Sequence, residues 1–177
     1  MKKRHYFYII FTLSMWRIFA SDILIGLSDM DKQTPTNEWG SIAYRTQISI
    51  GLKSSENVFK TNQIVKVLVR IRNLSTNEAC NIYVQRAFAN NEDFSFIVSS
   101  PSGKDMSPVF HKTDVGSGGI VFIPPNQING FQFDLNEICK TDKIGTYKII
   151  MKMQRWSPTE KKSFEVISKP LYVTIVN

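Results

Sequence analysis

Ile64-Val65-Lys66-Val67-Leu68-Val69-Arg70-Ile71-Arg72 is the stretch whose reading decides the fold. Val65, Val67, Val69 and Ile71 fall on one side of an extended chain, and Lys66, Arg70 and Arg72 fall on the other. Such a strand has one face in a core and one in water, as in an antiparallel sheet. The same period returns on both sides of it. Gln47-Ile48-Ser49-Ile50-Gly51-Leu52 alternates, as do Phe94-Ser95-Phe96-Ile97-Val98 and Phe131-Gln132-Phe133-Asp134-Leu135. Tyr147, Ile149, Met151 and Met153 oppose Lys148, Ile150, Lys152 and Gln154, and Leu171-Tyr172-Val173-Thr174-Ile175 closes the series after Pro170.

Turn clusters separate these runs: Asn73-Leu74-Ser75-Thr76-Asn77, Pro101-Ser102-Gly103-Lys104, Gly116-Ser117-Gly118-Gly119, Pro124-Pro125-Asn126 and Ser157-Pro158-Thr159-Glu160. Beyond the N-terminal segment, no stretch carries a helical apolar stripe. About seven to nine short strands over about 130 residues predict an all-β antiparallel sandwich or small barrel across residues 43–177. Residues 22–42, mixed and turn-rich, read as a linker or N-terminal arm.

The chain opens with Lys2, Lys3 and Arg4, then runs apolar from Tyr6 to Trp16 before Arg17. This matches the basic and hydrophobic regions of a secretory signal peptide and is too short to span about 30 Å of hydrocarbon. Ala20-Ser21 offers the cleavage point, giving a leader over residues 1–21; an uncleaved amphipathic anchor is the alternative. The expected location is therefore outside the cytoplasm, periplasmic or secreted. Of 177 residues, 42% are apolar and 12% aromatic, enough for an ordinary core without a metal or cofactor. The net charge of +7 would suit a nucleic-acid binder, but the leader holds four of the 22 Lys and Arg and none of the 15 Asp and Glu. The remainder is only about +3, so net charge no longer points to nucleic acid.

Chemistry is short of its usual residues. After the leader, His111 is the one histidine, and a triad from His111, Ser107 or Ser117, and Asp105 or Asp114 lacks a G-x-S-x-G elbow. One His and two Cys have no metal-ligand spacing. Glu92-Asp93, or Asp134 with Glu137, offers a carboxylate pair for a hydrolase, but surface and turn acids explain them more simply. The chain is accordingly expected to be no enzyme, and to hold no metal and no cofactor.

Cys80 and Cys139 would, if bridged in an oxidising compartment, close a loop of about 60 residues worth on the order of 4 kcal/mol. That needs their Cα atoms within about 7 Å; two separate thiols are the alternative. Lys66, Arg70 and Arg72 on one strand and Lys148 and Lys152 on another would make a basic patch if those strands adjoin, edged by Arg155, Trp156 and Lys161-Lys162. Such a patch suits an acidic protein or an acidic glycan; a solvated sheet face that resists edge pairing is the preferred account of the lysines. Trp156 is expected on the Lys148 and Lys152 face, as a contact residue or packed under a loop. Asn73-Leu74-Ser75 is an N-glycosylation sequon. Pro101–Pro108, Gly116–Gly119 and Ser157–Lys162 are the recognition-loop candidates.

Several segments carry a resemblance. Phe59-Lys60-Thr61-Asn62-Gln63 before the Val-rich strand, Asp93-Phe94-Ser95-Phe96-Ile97-Val98 before Pro101-Ser102-Gly103-Lys104, and Ile123-Pro124-Pro125 leading to Phe131-Gln132-Phe133-Asp134-Leu135 and Gly145-Thr146-Tyr147 form one order. It resembles bacterial immunoglobulin-like modules, including the intracellular proteinase inhibitor family of bacilli and the β-domain before the catalytic domain of some secreted zinc proteases. The resemblance implies an immunoglobulin-like sandwich over roughly residues 43–176 and, as functions, binding or secreted proteinase inhibition. The leader departs from the intracellular family, and no H-E-x-x-H segment is present. A structural part in an envelope assembly, by strand addition at a sheet edge, is the remaining alternative.

Overall fold

In the computed structural model, residues 39–84, 94–106, 119–157 and 159–177 are described. The leader and most of the arm lie outside them, as do Glu92, Asp93, Ser107, His111, Asp114 and Ser117. The elements in chain order are β1 (Thr46–Leu52), β2 (Val58–Lys60), β3 (Lys66–Asn73), β4 (Cys80–Val84), β5 (Phe94–Ser99), β6 (Asp105–Met106), β7 (Gly119–Ile123), β8 (Ile128–Asp134), a 3-10 turn (Leu135–Glu137), β9 (Gly145–Ser157), β10 (Lys162–Ile167) and β11 (Leu171–Val176). The described residues are all-β, as the strand period predicts. The strands that sequence reading did not delimit are β2, β4, β6, β7 and β10. Each is short or follows a turn cluster that masks its alternation.

One sheet has the order β1-β3-β8; a second runs β2-β11-β9-β5-β6, with β10 also on β9; β4 and β7 pair by themselves. All pairings are antiparallel except β2 with β11, which is parallel. This corrects the purely antiparallel expectation. β9 is long enough to take β11 along Gly145–Ile149 and β10 along Lys152–Ser157. The two meet at Ser168, whose N–H donates to the Met151 carbonyl while its Oγ accepts the Met151 N–H, both at 2.9 Å. Ser168 thus keeps the backbone satisfied where the strand breaks, as a buried chain requires.

The two larger sheets face each other. Val67, Val69 and Ile71 of β3, Ile48 and Ile50 of β1, and Phe131 and Phe133 of β8 point into one core with Phe94, Phe96 and Val98 of β5 and Tyr147, Ile149, Met151 and Met153 of β9. Phe94 meets Phe131 at 5.5 Å between centroids, and Phe96 meets Phe133 at 5.0 Å. The pairs that repeat as F-x-F in the sequence are therefore opposite walls of the sandwich. Each such ring, fully buried, contributes about 1.5–3 kcal/mol before ordering costs.

Two corners are held by polar side chains. Buried Asn73 donates from Nδ2 to the carbonyls of Glu78, Ile123 and Pro124 at 2.8, 3.1 and 3.2 Å, and its Oδ1 accepts the Ser75 N–H at 3.0 Å. The sequon asparagine is thus spent on joining β3 to the β4 and β7 pair, with no room for a glycan in the folded domain. At the start of β9, the Tyr147 hydroxyl donates to the Lys143 carbonyl and accepts its N–H, both at 3.0 Å. Burial, with smaller pushes from Asp142 and Cys139, raises the phenol above its ordinary value against the opposing Lys143 bond.

The folded part reaches back to Trp39, inside the segment expected to be an arm. Trp39 is buried under the Arg72 guanidinium, 4.3 Å from its ring. Gly40 donates to the Ile48 carbonyl at 2.9 Å and Ser41 to the Ile167 carbonyl at 2.8 Å. A Cβ on Gly40 would stand 1.9 Å from the Ile167 oxygen, so only glycine allows that approach.

Candidate functional site

The six residues expected to meet a partner do not form one patch. Lys66 and Arg70 belong to β3, in one sheet; Lys148, Lys152, Arg155 and Trp156 belong to β9, in the other. Because the two sheets bury their inner faces against each other, their outward cations point to opposite sides of the sandwich. Arg70 is corrected further: it is 7% exposed. Its register partners are Ser49 and Gly130, and its Nη2 donates to the Ser49 hydroxyl at 3.2 Å. It also passes 3.6 Å from where a Cβ of Gly51 would stand. Small neighbours leave a trough in which the long side chain lies flat, so alternation read the face correctly but not the burial.

Lys66 is exposed, but Asp134 Oδ1 sits 2.8 Å from its Nζ. The backbone N–H of Asp134 in turn donates to Glu137 Oε1 at 3.4 Å, closing the 3-10 turn. Asp134 and Glu137 are thereby occupied with an ion pair and a cap rather than arranged for acid–base work. Lys66 also borders an open cleft of about 270 Å³ with Lys53, Ser54, Glu56, Phe59, Gln63 and Ile64.

Cys80 and Cys139 are two separate buried thiols with no disulfide between them, so the bridge is not made. Cys80 starts β4, on the sheet pair with β7; Cys139 follows the 3-10 turn, donating its N–H to the Leu135 carbonyl at 3.1 Å. Burial foremost, and then the Asp142 carboxylate, pushes the Cys139 thiol up to about 12. A thiol held protonated in this way is a poor nucleophile and metal ligand. Among the described residues no three metal-ligating side chains gather, and no helix is long and apolar enough to cross a membrane.

The last turn of β9 brings more together. Trp156 is 58% exposed, on the face that parity predicts, while Tyr147, Ile149, Met151 and Met153 fill the core below. Arg155 is half-buried, and its Nη1 donates to the Asn81 carbonyl of β4 at 3.0 Å. No carboxylate pairs with it among the described residues. Opposite Arg155 in register stands Phe164 of β10. Tyr44 stacks on Phe164 at 5.5 Å and 16°, and the Lys162 ammonium lies 4.6 Å from the same ring. Lys162 also pairs with Glu160 at 2.9 Å.

Lys152, four residues before Trp156 on the same face, is paired with Glu165 at 3.2 Å, and Ser163 and Gln154 extend the polar ladder at 2.9 Å. Lys148 is eight positions from Trp156, about 26 Å along the strand. The loop candidates separate in the same way. Pro101 abuts Gly145, at the first residue of β9, whereas Ser157–Lys162 follows its last. About 40 Å of strand lies between them, so they cannot serve one binding edge. Residues 107, 108 and 116–118 of the other candidates lie outside the described residues.

Sequence reading had no access to Tyr44, Arg45 and Phe164. Tyr44 and Arg45 occupy the centre of a two-residue hairpin turn, with φ of 42° and 56° and the Ala43 and Thr46 backbones bonded both ways at 3.1 and 3.0 Å. That left-handed geometry selects Asn-Gly, not Tyr-Arg, so no turn signal marks the position.

The chain matches no protein-family model and no curated protein. Among solved structures it is similar to a β-glucosidase of Listeria innocua, in two structures, one of them a mutant in complex with laminaribiose. Identity is 10% in each, with TM-scores of 0.41 and 0.39 over 77% and 76% of this chain. The chain spans only 17% and 16% of those enzymes.

Proposed function

We propose that the chain is an exported, non-enzymatic binding module with an immunoglobulin-like sandwich, its leader over residues 1–21 removed on export. Two features support the fold assignment. The order β1-β3-β8 facing β11-β9-β5 follows the split of an immunoglobulin domain into two sheets, and the Tyr147 hydroxyl bonded four residues back matches the tyrosine corner of such domains.

The observation that carries the binding reading is Trp156. A large aromatic side chain 58% in water is the residue type that dominates binding hot spots, and Arg155, next to it in the chain on the other face of the strand, pairs with no carboxylate among the described residues. The partner that suits it is an acidic protein surface, and nucleic acid is not the expected ligand. A photo-crosslinking residue at position 156, used in the native envelope fraction, should yield one discrete product that a Lys152→Glu change reduces. A smear unchanged by that reversal of charge would refute the reading. N-terminal sequencing of the exported protein, expected to begin at Ser21 or Asp22, tests the leader.

A further inference from the structure

We infer that the Tyr44-Arg45 turn is a strained recognition tip that, with Arg155, Lys161 and Lys162, engages a carboxylate-rich peptide segment of a protein partner. The inference rests on the binding role proposed for the Trp156 end and names the chemistry of its ligand.

Among the described residues, five non-glycine residues have left-handed backbones: Tyr44, Arg45, Asn62, Asn126 and Lys161. Asparagine tolerates that region; tyrosine, arginine and lysine do not. The three unfavourable residues all fall at one end of the domain. Tyr44 stacks on Phe164, Arg45 follows it into solvent, and Lys161 immediately precedes the Lys162 whose ammonium lies over that ring. Strain held in place by surrounding structure clusters where function needs a particular display of side chains. The Arg45 carbonyl accepts the Leu74 N–H at 2.7 Å, which fixes the tip against the next loop.

Among the described residues cations dominate this end. Lys162 lies over the Phe164 ring and Arg155 is its register partner, with exposed Arg45 and Lys161 next in the chain to Tyr44 and Lys162; Glu160 is taken by Lys162, and Glu78 belongs to the adjoining loop. The exposed Arg45 guanidinium beside flat aromatic surfaces suits a carboxylate of an extended peptide, because its fork can take that carboxylate through two bonds, while Arg155, with one Nη already bonded to the Asn81 carbonyl, adds positive charge.

The test uses the domain with its natural N-terminus after export and a fluorescein-labelled decaglutamate peptide. Arg45→Gly relaxes the turn and removes one cation. It should raise Tm by about 2–4 °C while weakening decaglutamate binding about threefold to fivefold. Arg45→Lys, which keeps the charge but not the fork, should retain only part of the affinity, and Trp156→Ala should weaken it as well. Stability and binding moving in opposite directions is the signature of a strained contact; a merely structural turn would leave binding unmoved. If Arg45→Gly binds like the parent while Trp156→Ala weakens, the tip is overturned and the binding role of Trp156 stands. If a sulfated oligosaccharide of matched charge binds more tightly than decaglutamate, the peptide assignment is overturned. If no variant changes affinity and position 156 gives no discrete crosslink, both readings fall together.

Discussion

Replacing Asn73 by alanine probes the joint between the two-stranded β4 and β7 pair and the main sandwich. Asn73 is 2% exposed and serves four backbone groups: three carbonyls through Nδ2 and the Ser75 N–H through Oδ1. Nδ2 has two hydrogens, so its three acceptors share two strong bonds, and Oδ1 adds a third. At about 1 kcal/mol net for each bond, with an added cost for carbonyls left dry, Asn73→Ala should lower stability by about 3–4 kcal/mol. That is a large part of the 5–15 kcal/mol or so that a domain of this size possesses. At about 2–4 °C per kcal/mol, Tm should fall by roughly 6–16 °C. Urea unfolding measures it directly, as a lower midpoint with an unchanged slope. Ser75→Ala, which destroys the same sequon but leaves Asn73 in place, removes the hydroxyl that accepts the Glu78 and Asn77 N–H groups and should cost less, about 1–2 kcal/mol. A loss below about 0.5 kcal/mol for Asn73→Ala would refute the joint, because solvent-exposed polar substitutions behave that way.

Other changes test the rest of the frame. Gly130→Ala would place a Cβ 1.9 Å from the Val69 carbonyl oxygen, so β8 must shift away from β3, with a loss of about 2 kcal/mol or more by thermal unfolding. Tyr147→Phe removes both bonds to the Lys143 backbone, and its expected cost of about 1–2 kcal/mol is read from the urea midpoint. Both cysteines should resist a thiol reagent at pH 8 until the domain unfolds, and a reductant should leave Tm unchanged. The Cys139 thiol ionises near its usual 9.0 when unfolded but only at about 12 when folded, so the unfolded chain binds fewer protons in between. Stability should therefore fall as pH rises through that window, by up to about 1.4 kcal/mol per unit from this group, and Cys139→Ala should remove that part of the slope.

Much of the fold can be read without coordinates because strand periodicity is a local property. Val67, Val69 and Ile71 alternate with Lys66 and Arg70 whatever the neighbours are, and Phe131-Gln132-Phe133 does the same. Hence the inward faces, the all-β character of the described residues and the outward position of Trp156 follow from the chain itself. What adjoins what does not follow, because sheet partners are set by chain segments far apart in sequence. Only the tertiary structure placed β3 and β9 in different sheets and divided the expected basic patch between opposite sides. It buried Arg70 through the small size of Ser49 and Gly130, residues that are informative only once they are known to flank it. It kept Cys80 and Cys139 apart, and it gathered Tyr44, Arg45, Phe164 and Arg155 from positions more than 100 residues distant. Sequence by itself determined which side of each strand faces the core; only long-range pairing decided which outward side chains meet, because that depends on register and topology rather than on local period.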